Sequence, residues 1–390
     1  MRRKTIPGQL LRLLQLISLG LLYILIKLAA KSPALVEAVY SQKVYPFIRN
    51  AVSAVTRVLP FSLAEVIAMI LVTAAAILLI VRIVRLIFFR KEALVKLLSS
   101  IITIVLTCSY LVIAFYVMWG FNLYRPDVAE KLDLPEREYS VEELTAVCED
   151  LLEHANELRI RVGNDEKGVF TGDIGEMKSA VINAYTEFGA SRPSFKADVP
   201  QVKTLIFPEV LSRCGISGIF VFLTEEPNVN TDEPFLYTPF NAAHETAHYL
   251  GYAHEEDANF IAFLVSTGSD DPALAYSGYM HALTHFAKAL RKADQNAYNT
   301  LYASYSPELI ADLRDYSAYY ETYTDTAVYN AAQDMNDSYL KFNGQEKGKL
   351  SYEEDVALIM RYYDSRGFFQ PKASALISSV PLALQTSINS

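Results

Sequence analysis

Cysteine is scarce in this chain, which contains three cysteines among 390 residues. None of them has the Cys-x-x-Cys spacing that is typical of a thiolate metal site. Cys108 lies in an apolar run, whereas Cys148 and Cys214 could form a disulfide only if their Cα atoms came within roughly 7 Å. We expect these two thiols to be buried and unpaired. The sequence therefore offers no thiolate metal centre.

The sequence also lacks an internal repeat and an excess of positive charge, since its formal net charge is −9. Basic residues do cluster between two apolar runs, at Arg82, Arg85, Arg90, Lys91 and Lys96. Because apolar runs flank this cluster on both sides, cytoplasmic anchoring explains it better than nucleic-acid binding. We expect no nucleic-acid partner.

Long apolar runs are confined to the first 125 residues. Three of them, at 13–30, 63–81 and 97–119, are each long enough to cross the hydrocarbon core of a bilayer. We therefore assign residues 1–125 to a membrane anchor with three transmembrane helices and the lipid bilayer as its partner. The basic start of the chain would also suit a cleaved signal peptide, but the small-residue cleavage signal is poor.

Basic residues near the ends of the apolar runs predict the orientation of the anchor. The start of the chain and the loop between the second and third runs are both basic, so both should stay in the cytoplasm. The segment 31–60 also carries four basic residues, so the asymmetry is incomplete. Three crossings predict a multi-pass cell-membrane protein in which residues 126–390 form an extracytoplasmic domain.

Residues 126–390 are sufficient for one globular domain with its own core. Short runs rich in β-branched or aromatic residues, at 203–207 and 218–223, predict strands. Helical patterns occur at 141–158, 178–189, 273–292, 307–319, 324–342 and 352–366. The predicted fold class is α+β: N-terminal transmembrane helices followed by a mostly helical domain with a small β-sheet.

The most informative stretch is His-Glu-Thr-Ala-His at residues 244–248. On a helix, positions i and i+4 share a face, so the imidazoles of His244 and His248 can bind one ion. Glu245 can then act as the base that takes a proton from water. Thr238 as the N-cap, with Pro239 after it, and Gly251 beyond the end predict a short helix over 239–250.

A catalytic zinc with two histidine ligands needs a third protein ligand and one open position. His254 would complete a His-Glu-x-x-His-x-x-Gly-x-x-His pattern like that of metzincins. Glu255 instead begins a Glu-x-x-Ala-Asn pattern that resembles the second motif of gluzincin peptidases. In that pattern, Asn259 would orient a ligand histidine. Asp257 is a further candidate, and the spacing leaves the choice open.

The chain resembles the DUF3810 family of bacterial membrane proteins. The resemblance rests on the segments 224–230, 239–240, 244–248 and 255–260, and near the membrane on 60–62 and 119–126. It implies a zinc metallopeptidase of the gluzincin type, with a zincin-like outer domain, and it indicates no substrate. The family commonly has arginine at the position of His254, so the resemblance favours Glu255 as the third ligand. This chain departs from the pattern there and at Glu256-Asp257, where Asp-Glu is more usual.

Two further patterns have simpler interpretations. His281 and His285 repeat the i, i+4 spacing without a glutamate between them. The pair is compatible with a second metal site, but we expect it to lie at the surface or margin of a helix. Asn228 and Asn230, close to Pro227, are expected to form a turn before the zinc helix.

These patterns predict a membrane-anchored zinc metallopeptidase that hydrolyses peptide bonds at the outer face of the membrane. Zn²⁺ is the predicted cofactor, with His244, His248 and Glu255 as ligands and Glu245 as the general base. The predicted substrate is a peptide or protein. Two alternatives remain: a non-catalytic zinc-containing membrane sensor or scaffold, and a zinc hydrolase that acts on a non-peptide envelope bond.

Overall fold

The computed structural model describes residues 6–88, 93–324, 326–342 and 355–370. This part of the chain is mostly helical with one three-stranded sheet, so the predicted α+β class is confirmed. The strands are β1 (Lys203–Thr204), β2 (Gly218–Val221) and β3 (Glu226–Val229). The helices are α1 (Ile6–Ala29), α2 (Pro33–Leu35), α3 (Tyr45–Thr56), α4 (Leu63–Phe88), α5 (Ala93–Met118), α6 (Val128–Lys131), α7 (Val141–Arg159), α8 (Ile174–Ser191), α9 (Glu209–Cys214), α10 (Thr238–Tyr249), α11 (Glu255–Thr267), α12 (Pro272–Ala293), α13 (Gln295–Ala303), α14 (Pro307–Glu321), α15 (Ala327–Phe342) and α16 (Asp355–Ser365).

Three helices near the N-terminus are long and apolar enough to cross a membrane, as the sequence predicts. The apolar stretches are Leu10–Ala29 in α1, Leu63–Val84 in α4 and Ser99–Met118 in α5. Few of their side chains are buried within the protein. Apolar side chains that no protein surface covers are suited to contact with lipid tails.

The segment between α1 and α4 is not a simple loop. It contains α2, a π-helical stretch (Val36–Val44) and α3, and it packs against the domain that follows α5. Tyr45, at the start of α3, is fully buried there. This contact places the segment and the chain after α5 at the same end of the three apolar helices.

The sheet has the strand order β1-β3-β2, so β2 is an edge strand. β3 pairs with β1 in parallel and with β2 antiparallel, with Gly218 opposite Val229. The expected turn at residues 227–230 is wrong, because residues 227–229 form the central strand. The Asn228 amide donates to the carbonyls of Ile219 (3.1 Å) and Glu226 (2.8 Å), which stabilises an asparagine inside a strand.

The main hydrophobic core lies after α5, where α7, α8, α10, α11 and α12 meet. α8 contacts α10 through Tyr185, whose hydroxyl donates to the carbonyl of Ala243 (2.6 Å). The predicted helices are all present with end points shifted by a few residues. The predicted helix at 352–366 begins outside the described residues, which resume with α16 at Asp355. Cys148 and Cys214 are free thiols; Cys148 is buried and Cys214 is half-buried.

Candidate metal centre

α10 carries the His-Glu-Thr-Ala-His motif and is buried along nearly its whole length. Its predicted N-cap is wrong: Tyr237 is the N-cap residue, while the Thr238 hydroxyl donates to the carbonyl of Pro234 (3.3 Å). The predicted end is confirmed, because Gly251 has a φ of +86°. That left-handed turn sends the chain back along α10 into α11.

The structure brings His244, His248 and Glu255 together. Glu255 Oε2 lies 3.2 Å from His244 Nε2 and 3.6 Å from His248 Nε2. Ligands at zinc bond lengths in a tetrahedral shell are roughly 3.3 Å apart. Two imidazole nitrogens and one carboxylate oxygen also form a ligand set that zinc prefers. These three residues could therefore hold a metal ion.

The backbone of the turn after α10 orients one of the two imidazoles. His248 Nδ1 donates to the carbonyl of Tyr252 (2.7 Å), which turns Nε2 towards Glu255. His244 Nδ1 and Asn259 Nδ2 are buried and have no hydrogen-bond partner among the described residues. The expected role of Asn259 as an orienting residue stays a prediction.

The two other candidate ligands face elsewhere. His254 Nε2 donates to the carbonyl of Leu123 (3.0 Å), at the end of the membrane anchor. Asp257 is buried and accepts a hydrogen bond from the backbone N–H of Val128 (3.1 Å). Of the three candidates for the third metal ligand, Glu255 is the one that lies beside His244 and His248.

Glu245 lies beside this group, and burial raises the pKa of its carboxyl to about 7. His244 and His248 oppose that rise, because a nearby imidazolium favours the carboxylate. Its Oε2 atom is buried and has no hydrogen-bond partner within the described chain. A carboxyl group with a pKa near neutrality can accept and release a proton under physiological conditions.

The pKa values of His248 and Glu255 reflect their mutual attraction. Burial alone would lower the pKa of His248, but the neighbouring Glu255 carboxylate outweighs burial and raises that pKa to about 9. Burial likewise opposes ionisation of Glu255, but His248 and His244 hold the pKa of that carboxyl well below its usual range. Glu255 is therefore an anion at neutral pH, which is the form that binds metals.

The edge strand β2 runs directly past Glu245. A Cβ atom added at Gly218 would lie 2.5 Å from Glu245 Oε1, so only glycine permits this approach. The backbone N–H of Phe220 also favours the charged form of Glu245. Sequence analysis identified β2 as a strand but gave no reason to single out Gly218, because the contact joins two distant segments.

Helix α10 also contacts the residue that follows α5. Trp119 follows α5, and its indole Nε1 donates to the carbonyl of His248 (3.1 Å). Its ring meets the His248 imidazole edge to face at 6.1 Å. The candidate centre therefore lies close to the end of α5, the third of the helices that could cross a membrane.

A second group of potential ligands lies on α12 and α16, next to Phe240 of α10. The half-buried imidazoles of His281 and His285 on α12, together with the buried Asp355 of α16, could also hold a metal ion. The half-buried position of the histidines agrees with the expectation that they lie at a helix margin. Nothing in the sequence indicated that Asp355 lies beside His285, because the two residues are 70 positions apart.

The comparisons with known proteins return one family. The family model described as "Protein of unknown function (DUF3810)" matches residues 40–360. The matched range includes α4 and α5, two of the three helices that could cross a membrane, and most of the chain after them. No curated protein and no solved structure matches the chain.

Proposed function

The chain belongs to the DUF3810 family, and from that premise we propose that it is a membrane-anchored zinc metallopeptidase. The proposed reaction is hydrolysis of peptide bonds at the outer face of the membrane. The observation that carries this proposal is the meeting of His244, His248 and Glu255 around one point, with the buried carboxyl of Glu245 beside it. A structural zinc site would have no need of such a base.

Each residue has a separate task in the proposed reaction. His244, His248 and Glu255 would hold zinc, which when bound supplies Lewis acidity for the carbonyl and acidity for water. Glu245 accepts the proton of the attacking water and delivers it to the leaving amine. Its pKa of about 7 suits both transfers. Asn259, one turn after Glu255, is the residue proposed to orient a ligand histidine.

The edge strand supports a peptide as the substrate. An extended peptide can add to the edge of a sheet through main-chain hydrogen bonds, and β2 is such an edge beside Glu245. Just beyond β2, Phe222 packs edge to face on Phe115, which lies in the third span (5.2 Å). A peptide bound along β2 would therefore extend towards the bilayer. This geometry favours the membrane-proximal segment of a protein as the substrate.

The outer face follows from the distribution of basic residues. The loop between the second and third spans is strongly basic, and such loops stay in the cytoplasm. The segment Tyr45–Thr56 and the outer domain contact each other and so share the opposite side. The proposed catalytic centre is then extracytoplasmic.

The test compares the full-length protein with its Glu245→Gln variant in detergent or lipid nanodiscs. Both are loaded with Zn²⁺ and incubated with a mixed membrane-protein extract, and the new N-termini are identified by mass spectrometry. We expect the parent to generate new termini, and the variant to lose that turnover by about 10²-fold or more while it keeps its zinc. Glu233→Gln, which makes the same substitution at another buried glutamate, serves as the matched control and should retain turnover.

Zinc content measured on the same samples tests the ligand set. Glu255→Ala should lose the zinc of this centre, whereas His254→Ala should keep it. Equal cleavage by the parent and the Glu245→Gln variant would refute the peptidase proposal and leave a zinc-containing scaffold. Loss of zinc in His254→Ala alone would move the ligand set to the metzincin-like arrangement.

A further inference from the structure

The second group of ligand-type side chains shares no residue with the proposed catalytic centre. His281 and His285 are one turn apart on α12, and their ring centroids are separated by 4.3 Å. Asp355, the first residue of α16, is 1% exposed and faces both rings. One atom from each residue lies within 4.8 Å of the other two. Three donors from two helices thus meet at one point.

The distances within this group differ in an informative way. Both carboxylate oxygens of Asp355 lie 3.0 Å from His285 Nδ1, which is a hydrogen-bonding distance. Asp355 Oδ2 lies 4.0 Å from His281 Nδ1, which is too long for a hydrogen bond. Two bonds of about 2.0–2.2 Å to a shared cation can span such a gap. The short contact is an ion pair or hydrogen bond, and the longer distance leaves room for a cation shared by Asp355 and His281.

The charge balance of the group also favours a cation. A buried carboxylate is costly unless a positive charge or a metal compensates it. In the described part of the chain, the ion-pair partners of Asp355 are the two imidazoles. An imidazole binds a metal in its neutral form, so a cation shared by the two rings would compensate the carboxylate.

We infer that His281, His285 and Asp355 form a second metal site, which binds a divalent transition-metal cation, with Zn²⁺ as the best match. Two imidazoles and one carboxylate suit zinc more than the hard cations Mg²⁺ or Ca²⁺. No glutamate accompanies the histidines as Glu245 does at the first centre. Phe240 stacks on the His281 ring at 3.7 Å and closes that side of the site.

The position of the site indicates a structural task. A metal there joins α12 to α16, and α16 packs on α11 through Tyr362 and Phe260, whose ring centroids are 6.1 Å apart. α11 carries Glu255 at its first residue. The second metal would therefore stabilise the C-terminal helix against the helix that presents the third ligand of the first centre.

The test is metal analysis of the full-length protein purified with a tag that contains no histidine. After chelation and reloading with Zn²⁺, we expect two ions per chain in the parent and one in Asp355→Asn, an isosteric change. His281→Gln should also retain one ion, which guards against a folding defect in a single variant. His154→Ala serves as the matched control, because His154 lies outside both groups, and it should keep two.

A second background separates this inference from the proposed peptidase. In His244→Ala/His248→Ala the first centre is destroyed, and one Zn²⁺ per chain should remain and disappear when Asp355→Asn is added. Cobalt loaded into this background should give visible absorption that is lost with Asp355→Asn. A chain that binds no metal in this background would overturn the second site, whatever the fate of the first. One ion per chain in the parent that Asp355→Asn does not reduce would also overturn it.

Discussion

Burial keeps the Glu233 carboxyl protonated at neutral pH. The side chain is 6% exposed and its pKa is raised to about 8 by desolvation. Oε1 accepts a hydrogen bond from the Asn241 amide (2.7 Å), and Oε2 accepts one from the Tyr320 hydroxyl (3.1 Å). These bonds favour the charged form but do not compensate the loss of water. Glu233 thus connects α10 to α14 as a neutral group.

This residue predicts a fall in stability with rising pH. In the unfolded chain the Glu233 carboxyl ionises near pH 4.5, whereas in the fold it keeps its proton until about pH 8. The unfolded state binds fewer protons in that window, so the free energy of unfolding falls as pH rises through it. Glutamine does not ionise, so Glu233→Gln should lack this fall in stability. At pH 8 the variant should therefore be more stable than the parent by a few kcal/mol.

Denaturant unfolding of the parent and Glu233→Gln at several pH values would measure the difference between them. The difference should be constant below pH 4.5, grow between pH 4.5 and pH 8, and level off above. Glu308→Gln, which changes an exposed glutamate, is the control and should show no such trend. A difference that does not vary with pH would contradict a buried, protonated Glu233.

At the scale of single elements, α10 and β2 act as a pair. An α-helix completes one turn every 3.6 residues, so α10 presents His244 and His248 on one face with Glu245 beside them. β2 contributes no side chain to the centre, but its backbone at Gly218 and Phe220 limits where the Glu245 carboxylate can lie. The position of the proposed base therefore depends on the pairing of β2 with β3 as well as on its own helix.

Gly218→Ala tests this dependence. The added methyl would contact Glu245 Oε1 at 2.5 Å, so that either the carboxylate or the strand must shift. Because a displacement of about 1 Å can reduce turnover on the order of 10²-fold, we expect a loss of that size in the proposed peptidase activity. Zinc content should be unchanged, since the added methyl meets no proposed ligand.

Activity and zinc content would be measured together for Gly218→Ala and for Gly20→Ala. Gly20 is the matched control, because nothing lies within 4 Å of a carbon added there. If Gly218→Ala lost zinc as well as activity, the strand would support the ligands and not the base alone. Full activity would show that Glu245 does not depend on the close approach of β2.

At the scale of the whole molecule, polar contacts join the N-terminal helices to the part of the chain that follows α5. The Arg125 guanidinium forms a paired ion bridge with Glu37 (2.9 and 3.0 Å) and donates to the carbonyl of Gly251 (3.0 Å). Glu37 lies between the first two spans, and Gly251 ends the metal helix. Polar groups near the ends of the apolar helices thus stabilise the turn that leads from α10 to α11, beside the candidate centre.

Tyr45→Phe tests the contact between these two parts of the chain. The Tyr45 hydroxyl is buried and contacts both Glu225 Oε2 (3.0 Å) and the carbonyl of Tyr249 (2.8 Å). Its removal leaves these buried acceptors without that donor, which should destabilise the protein by about 1–3 kcal/mol. Thermal unfolding in detergent would measure the loss. Tyr110→Phe, on the exposed face of α5, should unfold like the parent; an equally stable Tyr45→Phe would argue against a tight contact between the anchor and the domain.

The sequence by itself determined the features that depend on near neighbours. The three apolar runs are long enough to be recognised as spans, and the spacing of His244 and His248 places both on one face of a helix. Most outer-domain helices follow from apolar residues at helical spacing, and Gly251 marks the end of α10. Each of these features depends on residues close together in the sequence, either through the spacing of apolar side chains or through the backbone conformations open to glycine. The sequence shows such local patterns directly.

The tertiary structure decided which distant groups meet. Spacing allowed His254, Glu255 or Asp257 at the third position, and the path of the chain after Gly251 turned Glu255 towards the histidines. The central strand β3 was missed because its polar residues look like a turn until β1 and β2 pair with it. Asp355 reaches His285 across 70 residues for the same reason. Such contacts depend on how the whole core packs, and no local pattern of residues encodes them.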